Sequence, residues 1–300
     1  MKLRRLLFPT DFSDTAEHAL EHALGIAKRF EARIIILHVR TLFADDPNQP
    51  EYQLLDQGKY EAYVEERLAE LTKEVGESDR VDTVVLRNLS AASGILGFIE
   101  EEEIDMVVMG THGRSALSRF FLGSVAEKVV RHAQCPVMTV GHGKSEYRSR
   151  PDYRNILAAF DFSEISKDAI CQGLQFAEAF GAEMEVLYVV EQVIPPPLDE
   201  IWKVSVAREV PEVLASARES LNQSLGEDEL GHLKFEVRVG DADGKAEAEI
   251  VSYARDNDFD LVVMGTHGLS GIDHALLGST TERVVRTAPC PVLTFHKAPE

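Results

Sequence analysis

Residues 105–113 read DMVVMGTHG and residues 260–268 read DLVVMGTHG, so one nine-residue block occurs twice with a single substitution. Leu122-Gly123-Ser124 returns as Leu277-Gly278-Ser279, and Cys135-Pro136-Val137 as Cys290-Pro291-Val292, each at an offset of 155. Nearer the start of each copy the offset is 150, pairing Asp11-Phe12-Ser13 with Asp161-Phe162-Ser163 and Leu37-His38-Val39 with Leu187-Tyr188-Val189. The second copy therefore carries five extra residues in its middle. A repeat of this length implies two like domains rather than one larger core. The chain's 300 residues and 44% hydrophobic content supply enough apolar surface for both. Between them, GHGKSEYRSRPDYR from Gly141 to Arg154 has glycines, charges and a proline but no apolar period. It reads as a linker. The expected boundaries are residues 1–143, a linker over 144–154, and residues 155–300.

Each copy alternates strands with helices. In the first, Leu6 to Phe8, Ile34 to Val39, Val81 to Leu86, Met106 to Met109 and Val137 to Val140 are short apolar, β-branched runs, as in strands buried on both faces. After Ser13, the residues Ala16, Ala19, Leu20, Ala23, Leu24 and Ala27 recur at helical spacing, as do Ile170, Gly173, Leu174 and Ala177 in the second copy. Val64, Leu68, Leu71 and Val75 mark another helix between the second and third strands. Right-handed crossovers then give two tandem α/β domains, each a doubly wound parallel sheet of five strands with helices on both faces.

In such a sheet ligands bind beyond the carboxyl ends of the strands, where the strand order reverses. Asp11 follows the first strand and Gly110 the fourth, and these two strands can be neighbours. The segment Gly110–Ser124 reads GTHGRSALSRFFLGS and Gly265–Ser279 reads GTHGLSGIDHALLGS, both obeying G-x2-G-x9-G-S. Gly110 and Gly113 are expected to allow positive φ and close approach, and Gly123-Ser124 to open a helix whose free N–H groups and dipole favour an anion. Ser124 and Ser279 could cap those helices. A phosphate cradle is the functional reading; a loop turn followed by a helix cap is the structural one, made less attractive by the recurrence of the whole spacing.

At these residues the chain resembles the universal stress protein family, in its tandem two-domain form. The likeness rests on Pro9-Thr10-Asp11-Phe12-Ser13, the strand ending in His38-Val39, D-x-V-V-M-G-T-H-G, the glycine frame and the closing Cys-Pro-Val. It implies ATP binding, strand order 3-2-1-4-5, and an internal pseudo-dimer of the two domains through their last strands; a homodimer of chains is compatible with it. It also implies that Asp11 contacts adenine or ribose, that Val39 packs by the adenine, and that Gly110, Gly113, Gly123 and Ser124 hold the phosphates beside His112 and Val125. Pro9, Thr10, Met109 and Arg114 complete the first candidate set. The second comprises Asp161, Val189, Met264, Gly265, His267, Gly268, Gly278, Ser279 and Thr280. Ala159-Phe160 replaces Pro9-Thr10, Gly271 stands against Ala116, and Leu269 and His274 replace Arg114 and Arg119. The lost cations favour the first copy as the tighter phosphate site.

Catalysis has little support. No G-x4-G-K-[ST] loop, G-x-S-x-G elbow or H-E-x-x-H pair occurs. His112 or His267 could assist slow ATP hydrolysis as a general base, although donating one hydrogen bond or packing on the sheet explains either more simply. Asp11 and Asp161 could hold Mg2+ through water, but a bond to purine or ribose, or a helix start, accounts for them as well. A nucleotide-free scaffold is the remaining alternative. His18 and His22 stand at metal-pair spacing but lie off the apolar stripe without a third ligand, so no metal site is expected. The Glu100–Glu103 run reads as a solvated helix face, and Pro195-Pro196-Pro197 near Trp202 as a loop spacer.

Lys and Arg total 31 against 51 Asp and Glu, and a net charge of −20 opposes binding to nucleic acid or an anionic membrane. The opening MKLRRLLFPTD is too short in apolar residues for a signal peptide, and no stretch approaches a membrane span. Three cysteines without metal-like spacing fit a reducing compartment. A soluble, cytoplasmic chain is the expectation.

Overall fold

A computed structural model describes residues 1–41, 57–75, 80–112, 122–141, 151–191, 199–225, 227–240, 245–268 and 277–296. The chain divides into two units, Lys2–Pro151 and Asp152–Glu300. In the first, the strands β1 (Arg5–Pro9), β2 (Arg33–Thr41), β3 (Val81–Asn88), β4 (Met106–Gly110) and β5 (Val137–Val140) alternate with the helices α1 (Asp14–Phe30), α2 (Gln57–Val75), α3 (Ala91–Glu101) and α4 (Ser124–His132). All pairings are parallel and the order is β3-β2-β1-β4-β5. Helices cover both faces, with α3 and α4 packed on each other.

The second unit repeats the plan with β6 (Asn155–Phe160), α5 (Glu164–Phe180), β7 (Glu183–Val190), α6 (Asp199–Asn222), α7 (Glu227–Gly231), β8 (Lys234–Val239), α8 (Ala246–Asp256), β9 (Leu261–Gly265), α9 (Ser279–Thr287) and β10 (Val292–Phe295). Its order is β8-β7-β6-β9-β10, again parallel. Two of the five extra residues fall between β7 and β8, where a 24-residue α6 followed by α7 replaces the 19-residue α2, and three fall between β8 and α8: Ile35 pairs with Asp82 and Glu185 with Lys234, an offset of 152 at the third strand. By α3 and α8, which begin at Ala91 and Ala246, the offset has reached 155.

The aspartate that opens each repeated block ties two strands together. Asp105 Oδ2 accepts hydrogen bonds from the Arg4 and Arg5 amides at 2.7 and 2.8 Å, and Asp260 Oδ2 from the Arg154 and Asn155 amides at 2.9 and 3.0 Å. These bonds fix the lateral position of β4 beside β1 and of β9 beside β6 at the ends away from the candidate site. Tyr153, inside the span read as linker, is 1% exposed and meets the rings of Phe176 and Phe180 at 5.3 and 5.0 Å.

Two expectations need correction. The third strand is not buried on both faces: β3 is an edge strand, and Val85 is 48% exposed. Its apolar composition reflects β-propensity at a half-covered edge rather than a sealed core. His22 does not lie off the apolar stripe of α1 but is 4% exposed, among Ala19, Ala23 and Ile26. Burial, and secondly the charge on His18, pushes its pKa down to about 4. The other assignments hold: Val64, Leu68 and Leu71 are buried on α2, and Ile170, Gly173, Leu174 and Ala177 on α5. Val75's side chain lies outside the described residues. Among the described residues no helix is long and apolar enough to cross a membrane.

Candidate functional site

Adjacent parallel strands carry the two loops in each unit. β1 pairs with β4 through Leu6 and Leu7 against Met106 and Val107, and β6 with β9 through Ile156 to Ala158 against Leu261 to Val263. β1, β4 and β9 are each prolonged by one amide: Thr10 N–H donates to Leu37 O at 2.9 Å, Thr111 N–H to Val140 O at 2.9 Å, and Thr266 N–H to Phe295 O at 2.9 Å. Beyond that bond the chain leaves the sheet, which is where a crevice opens in this topology.

The loop after the first strand is a tight entry into a helix. Ser13 and Ser163 are the N-caps of α1 and α5, their hydroxyls accepting from the Ala16 and Ser166 amides at 3.4 and 3.2 Å. Asp11 Oδ1 accepts from the Ser13 amide at 3.1 Å, and Asp161 Oδ1 from the Ser163 amide at 3.0 Å and the Ser163 hydroxyl at 2.6 Å. Between aspartate and serine, Phe12 and Phe162 take φ of 61° and 66°, an unfavourable region for an aromatic residue. Backbone strain of this kind persists where the surroundings over-determine it, and it gathers at ligand clamps.

Among the described residues, the strand-end glycines work by close approach rather than by positive φ. Gly181 is the positive-φ glycine among the described residues, and Gly110, Gly123, Gly265, Gly268 and Gly278 all lie elsewhere. A Cβ on Gly110 would stand 3.0 to 3.1 Å from Thr15, backbone included, and one on Gly265 would stand 2.7 Å from Ile165 Cγ2. Glycine at the strand end thus lets the first turn of α1 or α5 press onto it. A Cβ on Gly268 would overlap Asp161 Oδ2, so the carboxylate after β6 and the loop after β9 meet.

The third glycine of each frame is the helix N-cap. Gly123 N–H donates to Thr111 O at 2.8 Å and Gly278 N–H to Thr266 O at 2.9 Å, pinning the starts of α4 and α9 to the ends of β4 and β9. Neither cap has a side chain to give, and no side-chain cap bond forms. The expected capping by Ser124 and Ser279 is therefore corrected: both are first helical residues, exposed, one place too late to cap. Their exposed hydroxyls and the first-turn amides face the same end of the helix, where the dipole favours negative charge.

The remaining candidates fall around this frame. Met109 and Met264 are buried beside the strand-end glycines, and Pro9 ends β1 in register with Leu37. Val125 and Thr280 are the half-exposed second residues of α4 and α9. Val39 lies against α3, where a Cβ on Gly94 would come within 2.9 Å of its Cγ1; Val189 is buried on β7. His112 is buried with Nδ1 2.8 Å from the Thr111 hydroxyl, and His267 has Nδ1 3.0 Å from that of Thr266. Gly113, Arg114, Ala116, Arg119, Leu269, Gly271, His274 and the triple proline lie outside the described residues, as does the side chain of Trp202. Among the described residues no cluster of three or more metal-binding side chains occurs. Burial pushes the Cys135 thiol up to about 12 and raises that of Cys290 further, which disfavours thiolate chemistry.

Some contacts at the site carry no spacing signal. Thr281 Oγ1 donates to Gly265 O at 2.8 Å, and the Thr266 hydroxyl lies 3.3 Å from His296 Nδ1. His38 bridges two elements, with Nδ1 2.9 Å from Thr10 O and Nε2 3.0 Å from the Tyr60 hydroxyl. Besides its place in the His38-Val39 motif, its sequence signal is a polar residue inside the apolar run Ile34 to Val39.

The model of the universal stress protein family matches residues 2–141 and again residues 152–296. The chain belongs to that family. A universal stress protein of Methanocaldococcus jannaschii is 33% identical over 147 residues, 48% of this chain and 85% of the relative. One from Synechocystis is 25% identical over 317 residues, covering 98% of this chain and all of the relative, so the universal stress protein duplication is shared along its whole length. The crystal structure of a universal stress protein from Archaeoglobus fulgidus superposes with a TM-score of 0.66 at 21% identity over the full length of both chains, a likeness of fold.

Proposed function

We propose that this universal stress protein binds ATP in its two glycine frames and acts as a nucleotide-dependent regulator of the stress response, without a dedicated catalytic set. The observation that carries the reading is the meeting of Asp161 with Gly268 across the split between β6 and β9, beside a helix start capped by glycine alone. A carboxylate suited to the hydroxyls of a ribose or an exocyclic amine thereby lies next to amides suited to phosphate oxygens. In the first domain the counterparts are Asp11, Gly110, Gly123 and Ser124, with Gly113 and Arg114 supplying the middle of the frame. Where Mg2+ accompanies the triphosphate, its role is to neutralise phosphate charge in a chain of net charge −20.

In this reading His112 and His267, whose Nδ1 atoms lie against the Thr111 and Thr266 hydroxyls, help to fix the loop. Mass spectrometry of nucleotide released on heating the purified chain tests the reading. ATP at one to two equivalents is expected. ADP alone would replace it with hydrolysis, and absence of nucleotide together with no binding on ATP titration would defeat it.

A further inference from the structure

The loop that carries Asp11 is held from outside by a residue with no role in the glycine frame. Thr10 O is a carbonyl and can only accept, so His38 Nδ1, 2.9 Å away, carries the proton. With the ring neutral, Nε2 is an acceptor for the Tyr60 hydroxyl, 3.0 Å away. Tyr60 lies on α2, with the Arg40 guanidinium 5.2 Å from its ring centre. His38 is buried on β2 and stacks on Phe12, centroids 4.7 Å apart and planes at 27°. The Phe12 amide donates to Thr10 Oγ1 at 3.0 Å. Thr10 is thus fixed at its amide, its hydroxyl and its carbonyl, and the carbonyl belongs to the peptide that joins it to Asp11.

The second domain lacks the device. Phe160 replaces Thr10 and Tyr188 replaces His38. Tyr188 meets Phe162 edge-on at 5.1 Å and 80°, and Phe162 leans on Phe160 at 4.7 Å. Packing takes the place of directed hydrogen bonds, and the phenol oxygen of Tyr188 extends beyond the imidazole position.

We infer that His38 is a positioning residue of the first nucleotide site, which it couples to α2 through Tyr60, so that recognition by Asp11 depends on α2 in the first domain only. The inference rests on the ATP reading above. It makes α2 the element through which a partner or a modification could tune one site while leaving its twin alone.

The test uses the full chain with Gly268→Val, which fills the second site and leaves the first to be read by titration with ATP. His38→Leu removes both bonds and is expected to weaken ATP binding about tenfold, the effect of leaving a buried carbonyl unpaired. His38→Gln, which abandons the Nδ1 position, should fall as far. His38→Asn places an amide N–H where Nδ1 was and should restore binding to within about threefold, since it keeps the bond to Thr10. Tyr60→Phe should cost about threefold and shift the Thr10 and Asp11 amide resonances with or without ATP. A 15N spectrum of the parent should report the Nδ1–H tautomer at His38. Equal losses for Asn, Gln and Leu, or an Nε2–H tautomer, would overturn the positioning role. So would unchanged resonances in Tyr60→Phe, a variant mild enough to fold if the others do not. Absence of ATP binding by the wild-type chain would defeat the nucleotide reading and this role with it; tight wild-type binding indifferent to His38 would defeat this role alone.

Discussion

The two domains keep the same frame and brace opposite sides of it. In the first, the aspartate loop is held by Thr10 and His38, while Ala126 and Gly141 stand at the glycine side. In the second, aromatic packing replaces those bonds at the aspartate loop, and Thr281 and His296, the counterparts of Ala126 and Gly141, reach Gly265 O and the Thr266 hydroxyl. Duplication thus preserved the aspartate and the glycines of the frame and released what holds them. The predicted consequence is two sites with the same glycine frame but different sensitivity: the first to changes around α2, the second to changes around α9.

The largest effect that separates the domains is expected in their cores. Tyr153 is sealed against Phe176 and Phe180, whereas its counterpart in the first domain is the smaller Leu3. Tyr153→Ala should cost the second domain about 4 kcal/mol, and Leu3→Ala the first about 3 kcal/mol. Differential scanning calorimetry should show the Tyr153 variant splitting a second, lower transition from the parent profile. A single transition shifted as a whole would mean that the domains unfold as one.

Acid should discriminate between them next. His22 titrates at about 4 in the folded chain against 6.5 when exposed, and Gln172 takes its place in the second domain. A histidine whose folded pKa is depressed binds fewer protons than the unfolded chain between those values, so stability is full above pH 6.5 and is lost as pH falls toward 4. The loss is on the order of 3 kcal/mol at the acid end. Urea denaturation between pH 7 and 4 should show the decline, and His22→Gln should flatten it. An equal slope in the variant would assign the acid sensitivity to carboxylates instead.

His22 also marks the limit of what the sequence discloses. Apolar spacing located α1, but a wider stripe buries a polar residue that no hydrophobic pattern counts. The strands, their order through family resemblance, and the helix starts at Gly123 and Gly278 were legible because they are local or repeated. The half-exposure of β3 was not, since edge position depends on topology rather than composition. Nor was the exchange of roles between Ser124 and Gly123, which turns on where the helix begins within a two-residue window. His38 stood inside a quoted motif, yet its function needs Thr10 on one strand and Tyr60 on a helix 22 residues on.

Charge supplies a comparison at the ligand itself. Arg114 and Arg119 belong to the first frame, and Leu269 and His274 to the second. If phosphate contacts follow, Gly113→Val should cost more ATP affinity than Gly268→Val, by about tenfold for a charge-assisted bond of about 1.5 kcal/mol. Calorimetric titration of the two single variants reads the difference directly, and equal losses would remove the preference for the first site.

The smallest effect tests the bracing of the glycine side. Thr281 is 4% exposed and its hydroxyl donates to Gly265 O, closing the first turn of α9 onto the end of β9. Alanine, already present as Ala126 in the first domain, removes that bond without opening a large cavity. Gly265 O would lose one partner in a buried setting, so Thr281→Ala should destabilise the second domain by about 1 kcal/mol. If the bond also keeps the helix start in place for an anion, ATP affinity at the second site should fall about threefold while the first is unaffected. Loss of stability without loss of affinity would confine Thr281 to the fold. Affinity would then depend on the Gly278–Thr266 amide bond, whose equivalent in the first domain joins Gly123 to Thr111, and the asymmetry between the sites would rest on the aspartate loop and the lost arginines.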